Sequence, residues 1–395
     1  MDEYSFLLEE ISGGDPVTLL LIIAGLLAFS GVVFFVLAGC AGYLTTILTI
    51  AASAYPVARA KAAGIPWIQG EILDDLIDAG SHAEALGKIQ ADSGMVLRNT
   101  GDGMEQQLEE EELDQYRTLL SSLPPDFIPF FEAYGLRHEI RMIKRMIRMH
   151  HHGSGPDETE EKITPAGIIT AELAARFATG TTMDDALQVF RGTTYEFLLT
   201  EPLLQYHQTD TILPLEIALD TFGAERVQHA GALIRTPLAA PFRDYAGTLI
   251  DLQNLRTLIR AKHAAIEPSF IGHCLPDGGR RIPGWRLLQL NEMMTVPDLV
   301  SQLAGTGYDQ VLQPALAGYP DLSTLVGFDL ALDRFLLGEL GRISQIYPFT
   351  GGPLIRFMVG KEYGFRNLQV ILTGLAEKVS PDDIRALLVS ERRAA

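Results

Sequence analysis

One ten-residue segment occurs three times in this chain, as EIRMIKRMIR from Glu139 to Arg148, as DLQNLRTLIR from Asp251 to Arg260, and as GFRNLQVILT from Gly364 to Thr373. The copies begin 112 and then 113 residues apart. A fixed internal period indicates that one structural unit is used three times. Within each copy the apolar residues recur at positions i, i+3, i+6 and i+7, which is the pattern of an amphipathic helix with one buried face.

The rest of the chain supports an all-α fold built from three similar helical-bundle repeats. A Leu-acid pair precedes each copy, as Leu113-Asp114, Leu215-Glu216 and Leu332-Asp333. Alternating apolar runs are few, and no Asn-Gly or Asp-Gly turn joins two of them. From these patterns and from glycine- and proline-rich breaks we predict repeats at residues 55–153, 162–266 and 278–390. The acid-rich stretch at residues 94–112 is interpreted as a surface loop leading into a helix.

The amino-terminal segment has the composition of a membrane anchor. After an acidic tail at residues 1–16, the segment 17–54 lies in a run of 43 uncharged residues between Asp15 and Arg59. A bilayer span needs about 20 apolar residues, and we favour one span at residues 17–38. A hairpin that turns at residues 39–42 and a buried core helix remain alternatives. A signal peptide fits poorly, because it would have a basic start and a shorter apolar core.

Charge beside this segment predicts its orientation. Arg59 and Lys61 follow the apolar run, whereas acidic residues precede it. The positive-inside rule therefore places the three repeats on the cytoplasmic side of the cell membrane.

Composition and motifs predict a protein without an active site, metal or cofactor. The net charge of -19 argues against a nucleic-acid partner, which would require a basic face. The two cysteines are too few for a disulfide framework. Three adjacent histidines, His150 to His152, suggest a metal site, but adjacent side chains in a linker do not converge easily on one ion.

Basic residues are concentrated on the repeated helices of this acidic protein, and we predict that they contact a partner. A solvated helix face and attraction to anionic lipid headgroups are the alternatives. The candidate interface residues are Arg137, Arg141, Lys144, Arg145, Arg148, Asn254, Arg256, Arg260, Arg366 and Asn367.

The ordered repeats resemble the C subunit of the archaeal A-type ATP synthase, whose eukaryotic counterpart is the d subunit of the vacuolar-type ATPase membrane sector. The resemblance runs from Tyr55 to the carboxyl end. It is carried by YPVARAK (Tyr55–Lys61), by Pro237-Leu238 before the second copy, and by Pro353-Leu354 followed by KEYGFRNLQVIL (Lys361–Leu372). Two features depart from the family pattern: Gly364 stands where an acidic residue is usual, and the uncharged amino-terminal segment is additional.

The resemblance implies a function and partners. It implies a funnel of three helical domains that links a proteolipid ring to central-shaft subunits of the D and F types and transmits torque, without catalysis, during ion-coupled ATP synthesis or hydrolysis. The repeat helices would then contact the shaft, and the anchor would contact membrane lipid. A membrane-anchored helical scaffold unrelated to rotary ATPases is the runner-up, and a metalloenzyme that uses His150 to His152 is a third alternative.

Overall fold

The computed structural model describes residues 16–93, 95, 97, 103–234, 238–317 and 323–391. In this part of the chain the secondary structure is helical, and the extended contacts are two isolated bridges, Gln69 with Glu391 and Ala166 with Ile169. The all-α prediction is therefore confirmed. The predicted acidic tail lies, except for Pro16, outside the described residues.

The apolar segment forms one helix, α1 (Pro16–Ala63). The helix continues through Gly39 to Gly42, so the alternative of a hairpin is wrong. Among the described residues α1 is the one helix that is long and apolar enough to cross a membrane. The chain divides into two compact units, Met1–Ala52 and Ser53–Ala395, so the last eleven residues of α1 belong to the second unit.

In the second unit, groups of short helices lie between pairs of long helices. The segments Pro66–Ile68 and Gln188–Phe190 are single 3₁₀ turns. The helices are α2 (Gly70–Ile77), α3 (His82–Ser93), α4 (Met104–Leu120), α5 (Ile128–His151), α6 (Pro156–Lys162), α7 (Ala171–Ala178), α8 (Met183–Leu187), α9 (Thr194–Thr209), α10 (Leu213–Leu233), α11 (Ala240–His263), α12 (Pro268–His273), α13 (Gly284–Asn291), α14 (Val296–Gln302), α15 (Tyr308–Leu316), α16 (Ser323–Ile346), α17 (Gly351–Ala376) and α18 (Pro381–Ala386). Helix α4 includes residues 104–112 of the predicted 94–112 loop, so that prediction is wrong for these residues.

Each repeat contributes one pair of long helices, α4 with α5, α10 with α11, and α16 with α17. The second helix of each pair has a proline within its first three residues, at Pro129, Pro241 and Pro353. Proline is favoured there because the first helical N–H groups have no partner within the helix. The short turns that precede these prolines lie at one end of the helix pairs, which we call the turn end.

The six long helices form a closed bundle. Helix α5 packs on α10 of the next repeat, α11 packs on α16, and α17 returns to α4 of the first repeat. We call these three contacts the first, second and third seams. The chain itself connects the repeats that meet at the first two seams, whereas the third seam is closed only by non-covalent contacts.

The short helices of each repeat pack against the long helix of the repeat before it. Helices α7 to α9 contribute Phe177, Phe190 and Tyr195 to a core that includes Ile143 and Met146 of α5. In the same way, α2 and α3 of the first repeat pack on Phe365 to Leu372 of α17. The repeats therefore interlock around the bundle. Their boundaries at 55–153, 162–266 and 278–390 stay predictions from the sequence, because Ser53–Ala395 forms one compact unit.

Candidate partner interface

Aromatic residues close the bundle at its turn end. The ring of Phe242 lies 4.8 Å from that of Phe127 and 4.7 Å from that of Phe130, measured between ring centroids. All three side chains are fully buried. Such edge and tilted contacts add to the stabilisation from burial, so the turn end is a packed core and not an opening.

The opposite half of the bundle contains a cleft of about 430 Å³. The cations that line it are Arg137, Arg141, Lys144, Arg145, Arg256, Arg260 and Arg366, and the anions are Glu109, Glu112, Asp220, Asp329, Asp333 and Glu362. We call it the charged cleft. Most of its cations lie in the second halves of α5 and α11, and its acids from α4, α10 and α16 lie in the first halves of those helices.

The first seam is held by two ion pairs between α5 and α10. Lys144 Nζ lies 2.7 Å from Asp220 Oδ2, and Arg148 Nε lies 2.6 Å from Glu216 Oε1. The Lys144–Asp220 pair is largely buried, whereas about half of the Arg148 side chain is exposed.

The second seam repeats this pattern one period later. Arg256 pairs with Asp333 and lies 3.4 Å from Asp329, while Arg260 Nη2 lies 2.8 Å from Asp329 Oδ2. Arg256 thus matches Lys144 and Arg260 matches Arg148. Glu216 therefore corresponds in position to Asp329, and not to Asp333. The Leu-acid pairs Leu215-Glu216 and Leu332-Asp333, which look alike in the sequence, thus occupy different positions in their repeats.

The third seam has a different chemistry. The positions on α17 that match Lys144 and Arg148 are Gln369 and Thr373, which carry no charge. A largely buried acid, Glu362, makes the ion pairs between the last and first repeats instead. It lies 3.2 Å from Arg137 and 3.3 Å from Arg141, both on α5, and it accepts a hydrogen bond from the hydroxyl of Tyr134. The charge between the last and first repeats is therefore reversed, with the acid on α17 and the cations on α5, the helix paired with α4.

The surroundings of Glu362 keep it ionised. Burial alone would raise the pKa of this carboxyl, but Arg137 and Arg141 outweigh burial and lower it to about 2. The neighbouring Glu112 behaves differently, since burial raises its pKa to about 7 although Arg141 donates to it at 3.0 Å. Burial, followed by the charge of Arg141, lowers the pKa of His138 to about 3, so this imidazole is neutral.

Arg145 connects the cleft to the short helices. Its guanidinium lies 2.6 Å from Glu109 Oε1 and 2.7 Å from Glu105 Oε1, and it also donates to the carbonyl of Lys162. Thr164 donates to the same Glu109 carboxylate at 2.6 Å. The beginning of the second repeat is fixed in this way beside the cleft.

The structure places eight of the ten candidate interface residues together. All eight basic candidates line the charged cleft or, in the case of Arg148, the seam beside it, and each has an acidic partner within the chain. Arg148 and Arg366 are the most exposed, with 52% and 43% of their side chains accessible. A direct contact with a partner therefore fits these two best.

The two asparagines have another position and another task. Asn254 and Asn367 are buried, with 0% and 1% of their surface exposed, so neither side chain is accessible to a partner in this conformation. Asn254 donates to the carbonyl of Pro276. Asn367 donates to the carbonyls of Trp67 and Val389 and accepts from the N–H of Val389. Each asparagine fixes a loop next to the short helices that pack on its own long helix. We call these groups of short helices the short-helix layers.

In the first two copies, the first residue of the repeated segment also binds a short-helix layer. Glu139 accepts from the N–H of Ile168 and from Tyr195, and Asp251 accepts from the N–H of Arg281 and from Tyr308. A Cβ at Gly167 or Gly279 would lie within 2.0 Å of these carboxylates, so both loops require glycine. At Gly364 the side chain of Trp67 packs against the helix instead. The missing acid is thus replaced by an aromatic contact.

The acids of the cleft carry little signal in the sequence. The acid-rich stretch that contains Glu109 and Glu112 is typical of a loop, and Asp220, Asp329 and Glu362 have no neighbouring motif that distinguishes them from surface acids. The signal that identifies some of them is the repeat period, since Asp220 and Asp333 are 113 residues apart, as are Glu216 and Asp329.

The three histidines at the end of α5 lie apart from the cleft. The His150 ring packs on Phe177, with 5.7 Å between centroids, and His151 packs on Tyr206. In the described part of the chain no group of three or more His, Cys, Asp or Glu side chains is placed to hold a metal ion.

Comparison with known proteins finds a family and relatives that match most of the chain. The family model of the ATP synthase (C/AC39) subunit matches residues 57–387. The C subunit of the A-type ATP synthase of Methanocaldococcus jannaschii is 27% identical over 95% of this chain and 94% of its own length. The corresponding protein of Methanothermobacter thermautotrophicus is 27% identical over 85% of this chain and 87% of its own length.

The first of these matches also extends into the apolar segment. It covers 95% of this chain, and the unit Met1–Ala52 makes up more than a tenth of it, so part of that unit must be aligned. The second unit, with its closed bundle, coincides with the family match at residues 57–387. The chain therefore belongs to the ATP synthase (C/AC39) subunit family and is an archaeal-type C subunit of an A-type ATP synthase.

Proposed function

We propose that this chain links the proteolipid ring of a rotary A-type ATP synthase to its central shaft and transmits torque between them, without chemistry of its own. Family membership supports the assignment to the synthase. The observation that carries the finer role is the polarity of the bundle, which has a packed turn end and a charged cleft in the opposite half.

The attachment of α1 supports an orientation for this bundle. Lys61 lies near the end of α1 and inside the second unit. It donates to the carbonyl of Pro348, in the turn between α16 and α17. Its ammonium also lies 5.9 Å from the centroid of the Phe349 ring. The chain thus enters the bundle at its turn end. In the proposal the turn end faces the membrane and the proteolipid ring, and the charged cleft opens toward shaft subunits of the D and F types in the cytoplasm.

The ion pairs of the seams suit the transmission of torque. Each seam pair joins helices of different repeats, so that a twist applied to one repeat is resisted by its neighbours. Pairs that are largely buried, such as Lys144–Asp220 and Arg256–Asp333, are screened less by salt than exposed pairs. Rigidity of this kind is what a coupling protein needs.

Isolation of the complex tests the role. The chain should be extracted from native membranes with a mild detergent and isolated by an affinity tag, and its partners should be identified by mass spectrometry. We expect a proteolipid and shaft subunits, with one copy of this chain per assembly. Recovery of the chain without them would favour the runner-up, a membrane-anchored scaffold unrelated to rotary ATPases.

A charge reversal tests the place of the shaft. Arg366→Glu changes an exposed cation of the charged cleft, and we expect it to release the shaft subunits while the proteolipid is retained. Arg385→Glu is the matched control, because Arg385 is exposed to a similar extent but pairs with Asp74 and Asp78, away from the cleft. Undiminished recovery of the shaft with Arg366→Glu would contradict the proposed position.

A further inference from the structure

Helix α1 is longer than a bilayer requires. From Pro16 to Ala52 it rises about 55 Å, at about 1.5 Å per residue. The hydrocarbon core of a bilayer is about 30 Å thick. At the average tilt of about 20°, roughly 20 Å of this helix still extends beyond the hydrocarbon.

The part of α1 that exceeds the bilayer thickness is apolar, like the rest of the helix. No charged residue occurs between Asp15 and Arg59. In the half of the unit nearer the repeats, Tyr43, Leu44 and Leu48 are 71%, 56% and 58% exposed in the isolated chain. The first half is equally open, and the apolar side chains lie on all sides of the helix. A helix that is apolar all round requires an apolar environment all round.

The threonines of the second half are satisfied by the helix itself. Thr45 and Thr46 donate to the carbonyl of Gly42 at 2.8 and 3.0 Å, and Thr49 donates to the carbonyl of Thr45 at 3.1 Å. Threonines that bond back to their own helix do not need water. This second observation agrees with the first, since these threonines do not prevent apolar groups from enclosing the helix.

We propose that α1 occupies the lumen of the proteolipid ring and packs against the ring's inner wall. This inference rests on the proposed function. A protein that turns with the ring must carry its attached helix along, and a helix on the outer wall would have to be drawn through the surrounding bilayer in every turn. Inside the ring, proteolipid helices surround α1 on all sides and cover the length that lipid alone would leave in contact with headgroups and water.

Photo-cross-linking in the intact complex tests this inference. A photoreactive amino acid replaces Leu44 or Leu48 in the full chain, and the complex is isolated from native membranes and irradiated. We expect an adduct of one chain with one proteolipid, and peptide mapping should place the attachment on the proteolipid helix that lines the lumen. The matched control carries the same photoreactive residue at Phe197 on α9, which is 81% exposed, and should give no proteolipid adduct.

The other outcomes separate this inference from the proposed function. If proteolipid co-purifies but the Leu44 and Leu48 probes label only lipid, a second copy of this chain, or the outward-facing proteolipid helix, the luminal position is overturned and the coupling role stands. If no proteolipid is present in the isolated complex, both are overturned.

Discussion

Buried polar side chains on the repeated helices act as clamps for the short-helix layers. Asn367 makes three hydrogen bonds to backbone groups, and these groups come from both the beginning and the end of the bundle-forming chain, Trp67 and Val389. A backbone carbonyl or N–H that loses its partner in the interior costs more than an ordinary hydrogen bond contributes. The number of partners therefore predicts the cost of removing each clamp.

Asn367→Ala should lower the free energy of unfolding by about 3 kcal/mol, because three buried backbone groups lose their partner. Asn254→Ala is the matched control. It removes one donated bond, to Pro276, and should cost about 1 kcal/mol. Denaturant unfolding of the full chain in detergent, followed by tryptophan fluorescence, measures both. Equal losses would contradict the clamp at Asn367.

Two neighbouring buried groups give opposite pH dependences. His138 Nδ1 lies 3.8 Å from Glu112 Oε1. The folded-state pKa of Glu112, about 7, exceeds the reference value of 4.5, so the folded state binds more protons between these values and stability falls as pH rises. The folded-state pKa of His138, about 3, lies below the reference value of 6.5, so stability falls as pH decreases through that window. The two effects oppose each other between pH 4.5 and 6.5.

Glu112→Gln should reveal the contribution of His138. Without the Glu112 titration, the unfolding free energy should increase with pH between 4.5 and 6.5, by up to about 1.4 kcal/mol per pH unit relative to the wild type. His138→Gln should change the slope in the opposite direction. The measurement is a series of denaturant unfolding curves at stepped pH, in which the raised pKa of Asp251 contributes equally to all three proteins. Parallel pH profiles for the wild type and Glu112→Gln would refute the assignment.

At the scale of helices, the seams are similar in packing but not in charge. Two of them join a cation of one repeat to an acid of the next, whereas beside the third Glu362 of α17 pairs with cations of α5, so that the polarity is opposite. Arg256 is central to the second seam, because only 15% of its side chain is exposed and it contacts both Asp329 and Asp333. Loss of one partner of a buried pair leaves the other charge without compensation.

Arg256→Gln should destabilise the chain by about 3–5 kcal/mol. Arg385→Gln is the comparison, since Arg385 also contacts several acids but on an exposed surface, and its replacement should leave the unfolding temperature nearly unchanged. Thermal unfolding monitored by circular dichroism distinguishes them. A similar small shift for both variants would show that the second seam depends on apolar packing alone.

The helices of the bundle are predictable from the sequence, whereas its charge pairing is only partly so. The apolar stripe at Ile140, Ile143 and Ile147 repeats at helical spacing, and all three side chains are buried. Residues 105–112 have no comparable period, because acids face both the cleft and the solvent, and their pattern predicts a loop where α4 lies. Glu362 and Arg141 are 221 residues apart. Only closure of the bundle brings them together, and no local pattern indicates it.

At the scale of the whole chain, the two compact units should separate in function. A chain that begins at Ser53 keeps the long helices, the seams and the residues of the turn end, including Lys61. We expect it to fold with an unchanged helical spectrum of the repeats and, when produced without other subunits, to remain in the soluble fraction. The full chain should sediment with membranes, because α1 carries a span of ample length. A full chain recovered mainly in the soluble fraction would contradict the anchor.

The third seam also sets an order of events during synthesis. The apolar segment leaves the ribosome first and is available for membrane insertion while most of the bundle does not yet exist. Trp67 and the short helices after it must then wait for α17, on which they pack, until nearly the entire chain has been made. During that interval their apolar faces lack a native cover, which is the condition that attracts chaperones and proteases. A stop codon shortly before Gly351 would therefore unsettle the beginning of the second unit as much as its end.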